Sequence, residues 1–171
     1  DVLSKSKLRV VARLGVGYDA IDVAAATELG IVVTIVPGTN QHSVAEETIA
    51  LLFAVYRDVP ARDREVRTGA WRRTIFPRVA GKTLGIVGLG RIGQAVVPRA
   101  IGLGLRVIAF DPYPDRDFAS RHGVRLCSLD ELLGESDIVS LHSPCNAETT
   151  NLINSTTLAR MRPGSVLINT A

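Results

Sequence analysis

The chain has 171 residues, 46% of them hydrophobic, with 20 Lys and Arg against 17 Asp and Glu, for a formal charge of +3 at pH 7. That apolar share suits a globular α/β protein with its own core. The scattered charge argues against a nucleic-acid surface, since the nearest thing to a cluster (Arg62, Arg64, Arg67, Arg72 and Arg73) reads as a solvated helix flank.

No apolar run reaches the roughly 18 residues that span a membrane, and the N-terminus does not read as a signal peptide. Asp1-Val2-Leu3-Ser4-Lys5 lacks an initiator Met, which suggests a processed or truncated start. Cys127 and Cys145 have neither metal nor disulfide spacing. The expectation is a cytoplasmic protein with free thiols and no metal, membrane or nucleic-acid partner.

In chain order, Leu8-Arg9-Val10-Val11-Ala12 reads as a strand entering the loop Arg13-Leu14-Gly15-Val16-Gly17-Tyr18. A short helix follows from about Asp22 to Leu29, stopped by Gly30. Ile31-Val32-Val33-Thr34-Ile35 is a second strand, ended by Pro37-Gly38. Ser43-Val44-Ala45-Glu46 has the spacing of a capping box, and the helix it opens should pass Ala54, be bent or interrupted at Pro60, and close at Gly69.

The most informative stretch begins at Thr83. A buried-strand pattern breaks into Gly88-Leu89-Gly90-Arg91-Ile92-Gly93, a helix follows, and a second apolar run (Arg106 to Phe110) ends in Asp111, eighteen positions after Gly93. This is a dinucleotide-binding fingerprint in the context it requires: strand, Gly-x-Gly-x-x-Gly, helix, strand, acid. Gly88 permits the tight turn, Gly90 lets a pyrophosphate approach the backbone, and Gly93 lets the helix pack on the strand. The pyrophosphate would rest on amides near Arg91 and Ile92. Asp111 would accept bonds from the adenosine ribose and repel a 2′-phosphate, which selects NAD over NADP.

Strands at Thr83–Gly88, Arg106–Phe110, Val124–Leu126, Asp137–Leu141 and Val166–Asn169 alternate with helices near Ile92–Leu103, Arg116–His122, Leu129–Leu133 and Ser155–Met161. The alternation argues for a parallel, doubly wound sheet of the Rossmann type. Pro98 lies inside the first of these helices and should kink it.

With these motifs placed, the chain resembles the D-isomer-specific 2-hydroxyacid dehydrogenase family, and within it the phosphoglycerate dehydrogenase-like members. The resemblance rests on Arg13 through Asp22, Ser43 to Glu46, Gly88 to Gly93, Asp111-Pro112-Tyr113, Leu141-His142-Ser143-Pro144, Thr149 to Asn154 and Val166 to Ala171. It implies an incomplete Rossmann domain over residues 37–171, preceded in 1–36 by a remnant of a flavodoxin-like substrate domain.

The resemblance also implies roles for individual residues. Gly15, Val16 and Gly17 would turn amides toward a substrate carboxylate, with Arg13 and Asn40 beside them. Ser143 and Pro144 would lie against the adenine and ribose, and Thr170 and Ala171 would meet the nicotinamide side. His142, at a strand end, is read as a loop-stabilising residue and not as the acid/base. The implied activity is hydride transfer between NAD and a small 2-hydroxy or 2-oxo acid, in a homodimer for which the Ser43–Gly69 segment is the candidate interface.

In that family the catalytic Arg follows the Asn-Thr-Ala motif, with an acid and a His further on, and this sequence stops at Ala171. The expectation is a central piece of an enzyme with no catalytic residue of its own, inactive alone. The alternative weighed beside it is an NAD-sensing binding module like the C-terminal binding protein corepressors.

Overall fold

The computed structural model describes Lys5 and residues 7–171. The stretch read as a processed start lies outside the described residues, except for Lys5. By contact the chain divides into two compact units, one up to Gln41 and the other from His42 to Ala171.

The first unit is a parallel pair, β1 (Val10–Ala12) and β2 (Val32–Thr34), joined by α1 (Val23–Glu28). Asp22 caps α1 by accepting the Ala25 N–H at 2.9 Å, and the chain turns out of the helix at Gly30, where φ is +67°. Both strands are shorter than the apolar runs that suggest them, because pairing covers only three residues on each.

The second unit begins in α2 (Gln41–Tyr56), followed by α3 (Val59–Arg67). The helix starts two residues before Ser43, so the Ser43–Glu46 box is not a cap: Ser43 lies within the first turn, and Glu46 instead pairs with Arg99 at 3.2 Å. A true capping box forms at Ser128–Glu131, where Glu131 accepts the Ser128 N–H at 2.8 Å. The same four-residue pattern occurs at both places, and only the path of the preceding chain separates them. Pro60 acts as anticipated. The helix breaks at Asp58, held at φ +50°, and restarts with Pro60 in its first turn, where the missing N–H costs no bond.

Five parallel strands form the sheet: β3 (Thr83–Val87), β4 (Arg106–Phe110), β5 (Arg125–Leu126), β6 (Ile138–Leu141) and β7 (Val166–Asn169), in the order β5-β4-β3-β6-β7. The order reverses direction between β3 and β6, which defines the switch point of a Rossmann sheet. Every residue of β3 is buried, as a central strand covered on both faces must be. Its side chains alternate. Leu84 and Ile86 enter the core beneath α2, α4 (Arg91–Gly102) and α5 (Arg116–Arg121), while Val87 enters the opposite core with Leu132 and Leu133 of α6 (Leu129–Glu135).

Gly85 carries a constraint that its place in an apolar run conceals. A Cβ there would lie 2.2 Å from Ser136 Oγ and 2.6 Å from Leu132, so its absence lets α6 approach the sheet. α4 continues unbroken through Pro98, and the next side chain, Arg99, donates from Nη1 to the Ala95 carbonyl at 2.8 Å. α7 (Ser155–Arg160), capped by Asn154, completes the chain's helices among the described residues.

Candidate functional site

The carboxyl end of β3 builds the site. Gly88 has φ +94°, and a Cβ on it would sit 2.8 Å from the backbone of His142 and Ser143. Both conditions admit only glycine. A Cβ on Gly93 would lie 2.2 Å from the Gly88 carbonyl oxygen, so the third glycine sets how closely α4 meets the turn. Gly90 differs in kind. Its φ is an ordinary −77° and nothing lies within 4 Å of where its Cβ would be, so no protein atom demands a glycine there. α4 opens at Gly90 with no side-chain cap, which leaves the first-turn amides from Arg91 onward without intrahelical acceptors. Open space against unpaired amides is the cradle that an anion needs.

Asp111 stands across this space, at the end of β4. Its Oδ2 accepts the Leu89 N–H at 2.7 Å and its Oδ1 the Tyr113 N–H at 2.8 Å. Two amides therefore hold the carboxylate in place, and each oxygen keeps a second lone pair for a hydroxyl. Gly88, Gly90, Asp111, Ser143 and Pro144 line one cavity of about 390 Å³. Ala171 lines a neighbouring cavity of about 340 Å³, and Ser143, Pro144, Thr149 and Leu152 form the wall common to the two. Of the anticipated cofactor residues, Gly88, Gly90, Asp111, Ser143, Pro144 and Ala171 thus fall on two adjoining hollows at one edge of the sheet, Gly93 lies behind them as packing, and Arg91, Ile92 and Thr170 line neither hollow.

The Ser143-Pro144 turn is secured by Thr149 and by Asn146, the latter outside every motif picked out in the sequence. Asn146 Oδ1 accepts the amides of Glu148 and Thr149 at 2.9 and 3.0 Å, and the Thr149 hydroxyl donates back to the Pro144 carbonyl. Asn146 with amide partners two and three residues on is an Asx turn, a local pattern that could have been read from the sequence.

His142 is half-buried, with Nε2 2.9 Å from Ser140 Oγ and Nδ1 3.5 Å from Thr170 Oγ1. Burial penalises the imidazolium and pushes its pKa down to about 4, so the ring is neutral at pH 7.

Within the first unit, Arg13 donates from Nη1 to the Leu14 carbonyl at 2.5 Å, and its guanidinium lies over Gly15, 3.2 Å from where a Cβ would be. Gly15 has φ +138°, and its carbonyl accepts the Val36 N–H at 2.9 Å. Val16 is half-buried, Gly17 exposed, and Asn40 half-buried at the bend before α2.

Three of the five clustered arginines are held in ion pairs: Arg62 with Asp58 and Glu65, Arg67 with Asp63, and Arg72 with Glu65. Among the described residues, no group of three or more His, Cys, Asp or Glu could hold a metal, and no helix is long and apolar enough to cross a membrane.

Residues 49–171 match the family model of the D-isomer specific 2-hydroxyacid dehydrogenase NAD-binding domain. The chain belongs to this family. It is 46% identical over 167 residues to a D-3-phosphoglycerate dehydrogenase of Mycobacterium tuberculosis, a match that covers 96% of this chain and 32% of that protein. A glyoxylate reductase of Korarchaeum cryptofilum is 46% identical over 171 residues, covering 96% of this chain and 52% of the reductase.

Among solved structures, a D-lactate dehydrogenase of Aquifex aeolicus in complex with NAD and lactic acid superposes with a TM-score of 0.90 at 34% identity. That match covers 99% of this chain and 52% of the lactate dehydrogenase. The chain spans about a third of the length of the phosphoglycerate dehydrogenases it matches and about half that of the other two. Within the family's NAD-binding domain lie the glycine turn, Asp111 and the Ser143-Pro144 turn.

Proposed function

We propose that the whole protein is an NAD-dependent oxidoreductase acting on the CH–OH group of a small D-2-hydroxy acid, with phosphoglycerate-type acids among its candidate substrates. The observation that carries the reading is the open, amide-lined space over Gly90, faced by a carboxylate that two backbone N–H groups already hold still. That pairing suits a pyrophosphate on one side and a ribose diol on the other.

Gly88, Gly90, Arg91 and Ile92 would hold the pyrophosphate by backbone, with Gly93 setting the helix distance. Asp111 would take the adenosine ribose, Ser143 and Pro144 the adenine and ribose wall, and Thr170 and Ala171 the nicotinamide side. When bound, NAD supplies the hydride acceptor, and the reduced form the donor, for the substrate carbon. The protein's part is to orient that ring and exclude water.

The Gly15-Val16-Gly17 loop, with Arg13 folded over Gly15, supports a carboxylate-binding role for these residues, with Asn40 as a further polar contact. We assign residues 1–36 to the substrate domain and 37–171 to the cofactor domain.

The Ser43–Gly69 segment supports a homodimer. Val55, Val59 and Val66 are exposed on its helices. Sedimentation of the chain tests this, and a monomer at micromolar concentration would reject it. Cytoplasmic residence belongs to the same reading, for which the two free cysteines are the support.

Calorimetric titration of the chain with NAD and NADP is the deciding experiment. NAD binding with weaker or absent NADP binding is expected. No heat with either coenzyme, from folded protein, would overturn the assignment.

A further inference from the structure

We propose that Ser140, His142, Thr170 and Thr48 form a one-directional hydrogen-bond relay that positions the end of β7 for the nicotinamide half of the cofactor. The positioning role rests on the NAD reading above. The relay itself rests on the hydrogen-bond geometry together with the neutral His142 ring.

Its direction follows from counting protons. The Thr48 hydroxyl donates to the Val44 carbonyl at 2.9 Å. A hydroxyl has one proton, so in its 3.3 Å contact with Thr170 Oγ1 the Thr48 oxygen accepts and Thr170 donates. With its own proton committed, Thr170 Oγ1 can only accept from His142 Nδ1, 3.5 Å away. A neutral imidazole carries one N–H. Nε2 therefore presents a lone pair, which accepts the Ser140 hydroxyl at 2.9 Å. All four side chains are satisfied in a single sense, Ser140 to His142 to Thr170 to Thr48 to the Val44 carbonyl, and the ring is fixed as the Nδ1–H tautomer. Ser140 and Thr48 are 0% and 1% exposed, so water does not replace either end.

The relay joins β6, the end of β7 and the middle of α2 at the carboxyl edge of the sheet. A dinucleotide lies across the switch point between β3 and β6. Asp111 on β4 takes the adenosine side, so the other half extends past β6 toward Thr170 and Ala171. Holding Thr170 in place before the ligand arrives lowers the ordering cost of binding that half. Ser140, His142 and Thr48 act here through Thr170, as positioning residues.

The test combines two readouts. In the free chain labelled with ¹⁵N-histidine, long-range ¹H–¹⁵N correlation should show His142 as Nδ1–H. Thr48→Val removes the acceptor of the Thr170 hydroxyl, which then turns to donate to Nδ1, so the ring should switch to Nε2–H with Ser140 accepting. Thr48→Ser should restore the parent tautomer. In calorimetry, Thr48→Val should weaken NAD about three- to tenfold, the effect of one lost hydrogen bond, and Thr48→Ser should recover it. ADP-ribose, which lacks the nicotinamide, should change by less than about twofold.

An Nε2–H ring in the parent overturns the relay, and this measurement needs no variant to fold. A tautomer that ignores Thr48→Val overturns it as well. Equal weakening of NAD and ADP-ribose, or none, overturns the positioning role. A parent chain that binds neither nucleotide defeats the NAD reading and the positioning role together, while the tautomer still judges the relay.

Discussion

The two ends of the five-stranded sheet make an instructive pair. Each carries a hollow of similar size, about 390 Å³ at the carboxyl end and about 400 Å³ at the amino end. Volume does not separate them, but hydrogen bonding does. At the amino end Asp137 accepts the Thr83 N–H at 2.9 Å and pairs with Lys82 at 3.4 Å and Arg162 at 3.2 Å. Burial alone would raise its pKa, but those three partners outweigh burial and hold the carboxyl below its ordinary value. At the carboxyl end Asp111 is held by two amides and is in no ion pair among the described residues. One carboxylate is neutralised by its own fold. The other is braced by two amides and keeps lone pairs free, as the proposed ribose contact requires.

The glycines offer the sharpest way to break the comparison. Gly93→Ala would set a methyl 2.2 Å from the Gly88 carbonyl and push α4 off the sheet. We expect a loss of about 3 kcal/mol in stability, read by urea unfolding, together with loss of NAD binding. An unchanged midpoint would show that the turn tolerates a wider helix spacing than its geometry indicates.

The half-buried histidine comes next. The unfolded chain protonates His142 near its ordinary pKa of 6.5, while the folded chain resists until about 4. Between these values the unfolded state binds more protons, so stability falls as the pH drops from 6.5 to 4 and the contribution is fully present above that window. We expect about 2–3 kcal/mol from this residue. Unfolding curves at intervals across the window should show a slope that His142→Gln flattens.

Asp111→Ala and Asp137→Ala test the two carboxylates directly. The first should weaken NAD by about 2 kcal/mol through lost charge-assisted bonds. The second should leave NAD affinity unchanged and cost about 1–2 kcal/mol of stability, since it leaves the buried Thr83 N–H without its acceptor. If Asp137→Ala weakened NAD as much as Asp111→Ala, the distinction between the two ends would fail.

The smallest effect on the fold is expected at Gly90. Alanine fits its backbone and meets no protein atom, so stability should stay within about 0.5 kcal/mol of the parent. NAD binding should nevertheless suffer, because the methyl enters the space assigned to the pyrophosphate.

Gly88, Gly90, Gly93 and Asp111 are legible in the sequence because each acts through backbone geometry or charge at a fixed offset from a strand end, and such offsets survive in one dimension. The alternation of strands and helices, the break at Pro60 and the parallel sheet are legible for the same reason: burial on both faces and the missing proline N–H are local demands. Gly85 was invisible as a constraint, since its clash is with Ser136 and Leu132 on another element. Ser43 and Ser128 head the same four-residue pattern, yet only Ser128 caps a helix. No local rule separates them, because the turn after Gly38 enters its helix at Gln41.

The order of residues therefore determined which strand would carry the glycine turn and which acid would stand opposite. Only the folded chain brought Thr48 and Thr170 to within 3.3 Å across 122 positions and turned His142 toward them. Contacts of that kind depend on how α2, β6 and β7 pack, and packing is a property of the assembled core, which no single segment encodes.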